Sequence, residues 1–130
     1  MIEPAVIEPV FQKYGSDCAV ACLSMMLGVS YPDILAATSK RAKVVHTGMS
    51  SRQIISTAKR LGMVVKYRIA PPEEDDFGMM YLTRKDDAHV ALYLRNGYVI
   101  DPADGLTYTD VGAFLLAKDW TIEGFYWREA

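Results

Sequence analysis

The sequence predicts a single α+β domain, in which helices from the first half of the chain pack on a mostly antiparallel sheet of about four or five strands from the second half. The length of 130 residues is usual for one domain. A composition of 51% hydrophobic and 23% charged residues is typical of a folded chain with its own core. Apolar residues recur with a helical period as far as Gly62 and roughly every second residue after it. We therefore treat residues 1–130 as one domain.

The first helix is expected to begin at Cys18, after a segment of residues 1–15 whose two prolines prevent a regular helix. Ser16 and Asp17 precede the helix, and either side chain has the oxygen that caps a helix N-terminus. The helix, CAVACLSMMLG, ends at Gly28 and is apolar nearly all round. Such a helix is expected to be buried at the centre of the domain.

Two further helices are expected before the strands begin. The second starts at Ser30 in SYPDILAATSKR, where a proline in the first turn is well tolerated. The third, RQIISTAKRLG, is capped by Ser50 or Ser51 and ends at Gly62. Its apolar stripe consists of Ile54, Ile55, Ala58 and Leu61.

Five strands are predicted after Gly62, in the order MVVKYRI, MMYLTR, HVALYLR, YVID and WTIEGFYWRE. The acidic stretch APPEEDDFG between the first two predicts an exposed loop. Asn96-Gly97, between the third and fourth, is a strong signal for a hairpin. Residues 102–108 have the composition of a turn, and TDVGAFLLAKD predicts a short helix capped by Thr109.

Charge and hydropathy argue against several classes of protein. Fourteen basic and sixteen acidic side chains give a net charge of −2, so no nucleic-acid partner is expected. The segment MIEPAVIEPVFQKYG lacks the features of a signal peptide, and no stretch approaches the ~20 apolar residues that span a bilayer. Two cysteines are too few for a disulfide framework. We expect a cytoplasmic protein without a membrane partner; the sequence does not predict its oligomeric state.

Cys18 is the residue best placed for nucleophilic chemistry, because it lies in the first turn of the predicted central helix. The partial positive charge at a helix N-terminus stabilises a thiolate, which is the nucleophilic form of cysteine. Cys22 lies one turn further along, where this effect is small, and is expected in the core. The alternative is that both cysteines are small buried hydrophobic residues, as free cysteines usually are.

His89 is the better of the two histidines as a candidate general base. It opens a predicted strand, whereas His46 lies in a predicted loop between helices. A catalytic imidazole needs a third group that fixes its orientation, and Asp101 at the end of the partner strand is suited to that role. Asp104 is a second candidate, although PADG is more typical of a turn.

The register of the predicted hairpin decides whether His89 and Asp101 can meet. A tight two-residue turn would put them on opposite faces of the sheet. A three-residue loop with Gly97 in the left-handed conformation pairs Leu94 with Tyr98 and puts both side chains on one face. The candidate pair therefore requires the three-residue loop or an equivalent irregularity.

Gln12 precedes Cys18 by a short turn, and a side-chain amide near a nucleophile can donate to the oxyanion of an acyl-transfer intermediate. Four candidate residues thus occur along the chain in the order Gln12, Cys18, His89 and Asp101. This order, with an Asp-Cys pair at a helix start, a His before an apolar strand and an Asp-Pro, resembles the papain-like cysteine peptidases. Within them it is most similar to the bacteriocin-processing (double-glycine) peptidases.

The resemblance implies a papain-like fold and a thiol hydrolase that cleaves a peptide or related amide bond. Cys18 would attack the carbonyl carbon and form a thioester, and His89 would act first as base and then as acid. Asp101 would orient His89, and Gln12 would help to hold the oxyanion. The substrate would be a peptide or protein, and no cofactor is implied.

Other functions remain open from the sequence alone. A deamidase, an isopeptidase or an acyltransferase would use the same four groups, because the surrounding loops choose the leaving group and the acceptor. Two non-enzymatic alternatives are a catalytically inactive module that binds a peptide and a small structural protein. A metal site is not expected, because the cysteines and histidines lack the spacing of a structural zinc site.

Overall fold

The computed structural model describes Ile7, Val10, residues 16–39 and residues 48–129. Within this part of the chain there are four α-helices: α1 (Cys18–Leu27), α2 (Tyr31–Ala37), α3 (Ser51–Arg60) and α4 (Val111–Lys118). The strands are β1 (Val65–Arg68), β2 (Gly78–Arg84), β3 (Asp87–Leu94), β4 (Tyr98–Asp101), β5 (Leu106–Tyr108) and β6 (Thr121–Arg128). A short 3₁₀ turn, Arg95–Gly97, joins β3 to β4.

Helix α1 is buried as predicted, because every residue after Cys18 up to Leu27 lies in the core. Gly28 ends the helix in the left-handed conformation. The expected side-chain cap is wrong, since Asp17 occupies the N-cap position but its side chain does not cap the helix. Its carboxylate accepts a hydrogen bond from Tyr31 Oη at 2.5 Å, which ties the start of α1 to α2.

Helices α2 and α3 begin at two of the predicted serine caps. Ser30 Oγ accepts from the backbone N–H of Asp33, and Ser50 forms a reciprocal capping box with Gln53. The predicted apolar stripe of α3 is wrong at Ile55, which is 38% exposed, while Ile54 is buried. Adjacent helical residues point about 100° apart, so only one of the two isoleucines can face the core.

In the described residues, no single helix is long and apolar enough to cross a bilayer. Helices α1 and α2 meet the length and composition criteria only when counted together, as a pair bent by 110°.

The six strands form one antiparallel sheet in the order β1-β6-β2-β3-β4-β5. The α+β class is confirmed, but the number of strands exceeds the four or five expected. The extra strand is β5, which lies where only a turn was predicted. Gly105, in the left-handed conformation at φ 69°, confines the turn to a few residues. Leu106 then pairs with Asp101, so the chain returns along the edge of β4.

The sheet is covered on both faces. The core on one face joins α1, α2 and α3 to strand residues such as Val90 and Leu92. The core on the other face joins Phe114 of α4 to alternate residues such as Ala91 and Tyr93. Helix α4 is capped by Asp110, whose carboxylate accepts from a backbone N–H in the first turn. The cap predicted at Thr109 is therefore one residue too early.

Phe114→Ala is expected to lower the free energy of unfolding by about 3–5 kcal/mol, because it empties a fully buried aromatic site. Urea unfolding followed by circular dichroism measures the effect. Leu116→Ala is the matched control in the same helix, since Leu116 is 87% exposed and its loss is expected to change stability by less than about 0.5 kcal/mol. Equal changes in the free energy of unfolding for the two substitutions would contradict the packing of α4 on the sheet through Phe114.

Candidate functional site

The β3–β4 hairpin has the three-residue loop that the candidate pair requires. Leu94 pairs with Tyr98, as predicted for that loop. Gly97 is left-handed at φ 82°, and Asn96 is also left-handed at φ 65°. Because neighbouring side chains alternate across a strand, this register puts His89 on the sheet face that also carries Asp101.

His89, which is partly buried, and Asp101, which is buried, form a hydrogen-bonded pair. His89 Nε2 lies 2.7 Å from Asp101 Oδ1, and the two side chains are 10% and 1% exposed. Burial by itself lowers the pKa of His89, but hydrogen bonds to Asp101 and Cys18 and the charges of both groups raise it to about 9. A pKa of about 9 favours the protonated imidazole at neutral pH.

Cys18 is the first residue of α1 and lies in the same cleft as His89. Its side chain is partly exposed, whereas that of Cys22 is fully buried and directs its Sγ to the carbonyl oxygen of Val90 at 3.6 Å. Burial, followed by the nearby Cys18 and Asp101, raises the pKa of Cys22 well above its usual value. The prediction that Cys22 belongs to the core is confirmed, and of the two sulfurs only that of Cys18 can be reached from the cleft.

The cleft has a volume of about 420 Å³ and lies between α1, the start of α3 and three strands of the sheet. Polar residues that line the cleft include Ser16 and Ser51, and the Ser51 hydroxyl is hydrogen-bonded to Tyr126 Oη. Apolar and aromatic side chains form much of the remaining wall: Met49, Ile54, Tyr81, Val90 and Tyr126. The cleft thus combines a thiol and an imidazole with apolar and polar surfaces of the kind that line ligand-binding sites.

The Asp101 oxygen that does not face His89 is bonded by a lysine that is not among the residues predicted from the sequence. Lys118 Nζ lies 3.2 Å from Asp101 Oδ2 and 2.9 Å from Asp104 Oδ2. The backbone N–H of Ala103 also donates to Asp101 Oδ1, at 3.0 Å. Lys118 is the one charged residue in the sequence of α4, VGAFLLAK. A single charge in an otherwise apolar helix is the sequence feature that could have indicated a buried ionic partner.

The hydrogen bonds to Asp101 keep its carboxylate ionised. Burial alone raises the pKa of Asp101, but the hydrogen bonds from His89, Ala103 and Lys118 outweigh it, so the pKa lies below its usual value. The Asp104 carboxylate instead accepts hydrogen bonds from Lys118 Nζ, Tyr108 Oη and the backbone N–H of Leu106. Asp101 is therefore the residue that contacts His89, and Asp104 belongs to the turn.

Trp120 covers one face of the His89 ring. The two rings are stacked, with centroids 5.4 Å apart and an interplanar angle of 18°. The guanidinium carbon of Arg84, the last residue of β2, lies 4.0 Å from the centroid of the Trp120 ring. Trp120 precedes β6, although it was predicted as part of the last strand. Its contact with His89 depends on α4, which brings the chain across that face of the sheet.

Gln12 and His46 lie outside the described residues, so the predicted oxyanion donor stays a prediction. The acidic run forms an exposed loop at Glu73, Glu74 and Asp75, while Asp76 bonds Arg68 at 2.5 Å. Among the residues that the structure describes, no group of three or more His, Cys, Asp or Glu side chains is arranged to hold a metal ion.

No protein-family model matches this sequence, and no curated protein is significantly similar to it. The function proposed below is therefore based on the geometry of the site and on the chemistry of its residues.

Proposed function

We propose that this chain is a cysteine peptidase-type hydrolase with a papain-like fold, which cleaves a peptide or related amide bond through a thioester on Cys18. One observation carries the proposal: His89 is hydrogen-bonded to Asp101 and lines the same cleft as Cys18, the first residue of α1, and both groups raise its pKa. A nucleophile, a proton carrier and an orienting carboxylate in contact are the parts that acyl transfer needs.

In the first step, the Cys18 thiolate attacks the carbonyl carbon and the C=O electron pair moves to oxygen. Backbone N–H groups in the first turn of α1 have no partner within the helix, and that of Cys18 can donate to this oxyanion. Collapse of the intermediate restores C=O and breaks the C–N bond. The leaving nitrogen takes a proton from His89, so a free amine and a thioester with neutral His89 remain.

In the second step, water attacks the thioester and His89 removes a proton from it. The C–S bond breaks, the thiolate is restored and a carboxylic acid is released. Nε2 of His89 bonds Asp101, so Nδ1 is the ring nitrogen assigned to the proton transfers at Cys18. Gln12 is proposed as an additional oxyanion donor on the basis of the family resemblance.

The proposed substrate is a peptide or protein segment bound in an extended conformation. The 420 Å³ cleft beside Cys18 supports this, because its aromatic and aliphatic wall suits side chains while its serine hydroxyls suit a peptide backbone. The reaction uses no cofactor. Because the nucleophile is a free thiol, we propose that the protein acts in a reducing compartment such as the cytoplasm.

Iodoacetamide tests this proposal without a known substrate. At pH 6–7 it is expected to alkylate Cys18 at least about tenfold faster than a free cysteine peptide, because a nearby imidazolium and a helix N-terminus favour the thiolate. Cys22 is expected to remain unlabelled in the native protein, since it is fully buried. Digestion and mass spectrometry at timed intervals measure both sites.

His46→Ala is the matched control, because it removes the other histidine of the chain and is expected to leave the alkylation rate unchanged. Labelling of Cys18 at the rate of a free cysteine peptide would refute an activated nucleophile. Such a result would favour a non-catalytic peptide-binding module.

A further inference from the structure

A chain of ionic contacts extends behind Asp101, away from the cleft. Lys118 Nζ contacts Asp101 Oδ2 and also Asp104 Oδ2. Tyr108 Oη donates to the same Asp104 oxygen at 2.6 Å, and Lys118 Nζ lies 5.6 Å from the centroid of the Tyr108 ring. The Lys118 ammonium thus contacts two carboxylates and lies near one aromatic ring, contributed by β4, the following turn and β5.

The two oxygens of Asp101 have different partners. Oδ1 accepts from His89 Nε2 and from the backbone N–H of Ala103, while Oδ2 accepts from Lys118. The Asp101 side chain is 1% exposed, so water cannot readily replace a missing partner on Oδ2. Lys118 therefore supplies the partner that lets this carboxylate remain ionised with Oδ1 directed at the imidazole.

Several other charged or titratable groups face Asp101. Asp104, from the turn after β4, is a like charge that interacts unfavourably with Asp101, and Lys118 bonds both carboxylates. Cys22 of α1 is close enough for Asp101 to disfavour its thiolate, and His89 of β3 faces Oδ1. Without Lys118, a buried carboxylate would have a second carboxylate nearby with no cation between them.

We infer that Lys118 is a positioning residue, which holds the Asp101 carboxylate ionised and oriented toward His89 by bridging it to Asp104. The inference rests on the proposed function, because it assigns Lys118 a role in the same thiol hydrolase. Lys118 does not touch the cleft; it acts on His89 only through Asp101. The pKa of Asp101 supports this role, since the Lys118 hydrogen bond is among the interactions that lower it.

Replacing Lys118 with methionine keeps most of the side-chain length and removes the charge. In Lys118→Met, Asp101 is expected to accept a proton at higher pH than in the wild type, because burial and Asp104 both favour its neutral form. A neutral Asp101 no longer stabilises the imidazolium, and Cys18 then loses its charged partner. Lys118→Met is therefore expected to lower the reactivity of Cys18 at acidic pH and not near neutral pH.

The test is the rate of Cys18 alkylation by iodoacetamide between about pH 4.5 and 8. Lys118→Met is expected to be about tenfold slower than the wild type near pH 5 and within about twofold near pH 7.5. Lys118→Arg, which keeps the charge, is expected to restore most of the rate. Lys59→Met is the matched control, because Lys59 is an exposed lysine of α3 outside this cluster, and it is expected to leave the profile unchanged.

Asp104→Asn in the Lys118→Met background provides a second test. It removes the opposing carboxylate and is expected to recover part of the rate lost near pH 5. A loss that is equal at all pH values, or one that Asp104→Asn deepens, would overturn the inference and leave Lys118 a purely structural role. If Lys118→Met does not fold, Lys118→Gln and Lys118→Arg give the same comparison.

A carboxyl-carbon NMR titration of Asp101 separates this inference from the proposed function. It is expected to show Asp101 protonating at higher pH in Lys118→Met than in Lys59→Met, whatever the protein catalyses. An unchanged Asp101 titration would refute the role of Lys118 even if Cys18 alkylates rapidly. Slow alkylation of wild-type Cys18 together with a shifted Asp101 titration would instead refute the hydrolase.

Discussion

Cys18→Ala is expected to abolish amide and ester hydrolysis, with a loss on the order of 10⁴-fold or more. In the proposed mechanism the sulfur forms the thioester, so alanine at this position removes the group that is acylated. Two measurements check the result: cleavage of an unbiased peptide library followed by mass spectrometry, and the burst of p-nitrophenol from p-nitrophenyl acetate. The wild-type burst is expected to equal the concentration of active sites, because each Cys18 is acylated once before deacylation limits turnover.

The same substitution is expected to leave the fold nearly unchanged. Cys18 is partly exposed at the first position of α1, and alanine has the highest helix propensity. The free energy of unfolding should therefore change by less than about 1 kcal/mol.

Cys22→Ala is the matched control for Cys18→Ala, because it removes the other thiol four residues away on the same helix. It is expected to keep the burst while losing some stability, since Cys22 is fully buried. A burst that survives in Cys18→Ala but disappears in Cys22→Ala would show that Cys22, and not Cys18, is the nucleophile.

His89→Gln is expected to lower the hydrolysis rate by roughly 10³- to 10⁴-fold, because the leaving nitrogen and the attacking water both lose their proton carrier. Glutamine retains a polar group near Asp101 but cannot carry a charge. The burst assay and the alkylation rate of Cys18 measure the effect, and both are expected to fall. A normal alkylation rate in His89→Gln would mean that the imidazole does not activate Cys18.

His89 also makes the stability of the protein depend on pH. Folding raises the pKa of His89 from 6.5 to about 9, so the folded state binds a proton that the unfolded state releases in this range. The stabilisation is fully present below about pH 6.5 and is lost as the pH rises through about 9. Urea unfolding should therefore show the wild type most favoured over His89→Gln near pH 6, with the difference decreasing toward pH 9. A difference that increases over this range would contradict the assigned charge state.

The hairpin illustrates how far local sequence can predict a site. Asn96-Gly97 and the flanking alternation predicted both strands, and counting residues reduced the problem to two possible loops. The three-residue loop is the one that forms, and it brings His89 within 2.7 Å of Asp101. Turn chemistry and strand period are properties of neighbouring residues, so a single sequence contains enough information to state the alternatives.

The errors arose where distant parts of the chain decide the outcome. The composition of residues 102–108 predicted a turn throughout. Residues 106–108 instead form β5, because the edge of β4 is open and they can pair with it. The N-cap of α1 had a suitable aspartate, yet Tyr31 from the next helix contacts its carboxylate. In both cases, a contact with a distant part of the chain, which the local pattern does not contain, decides the role of the residue.

Periodicity, helix stops and turns within short segments are enough to predict the α+β class, the buried helix that begins at Cys18 and the hairpin between His89 and Asp101. The packing of α4 on the sheet face opposite α1, where Lys118 reaches Asp101, depends on long-range contacts that no short segment contains. Contacts of this kind join residues far apart in sequence, and they form because burying the apolar side chains of the helices and the sheet selects one arrangement of the whole chain.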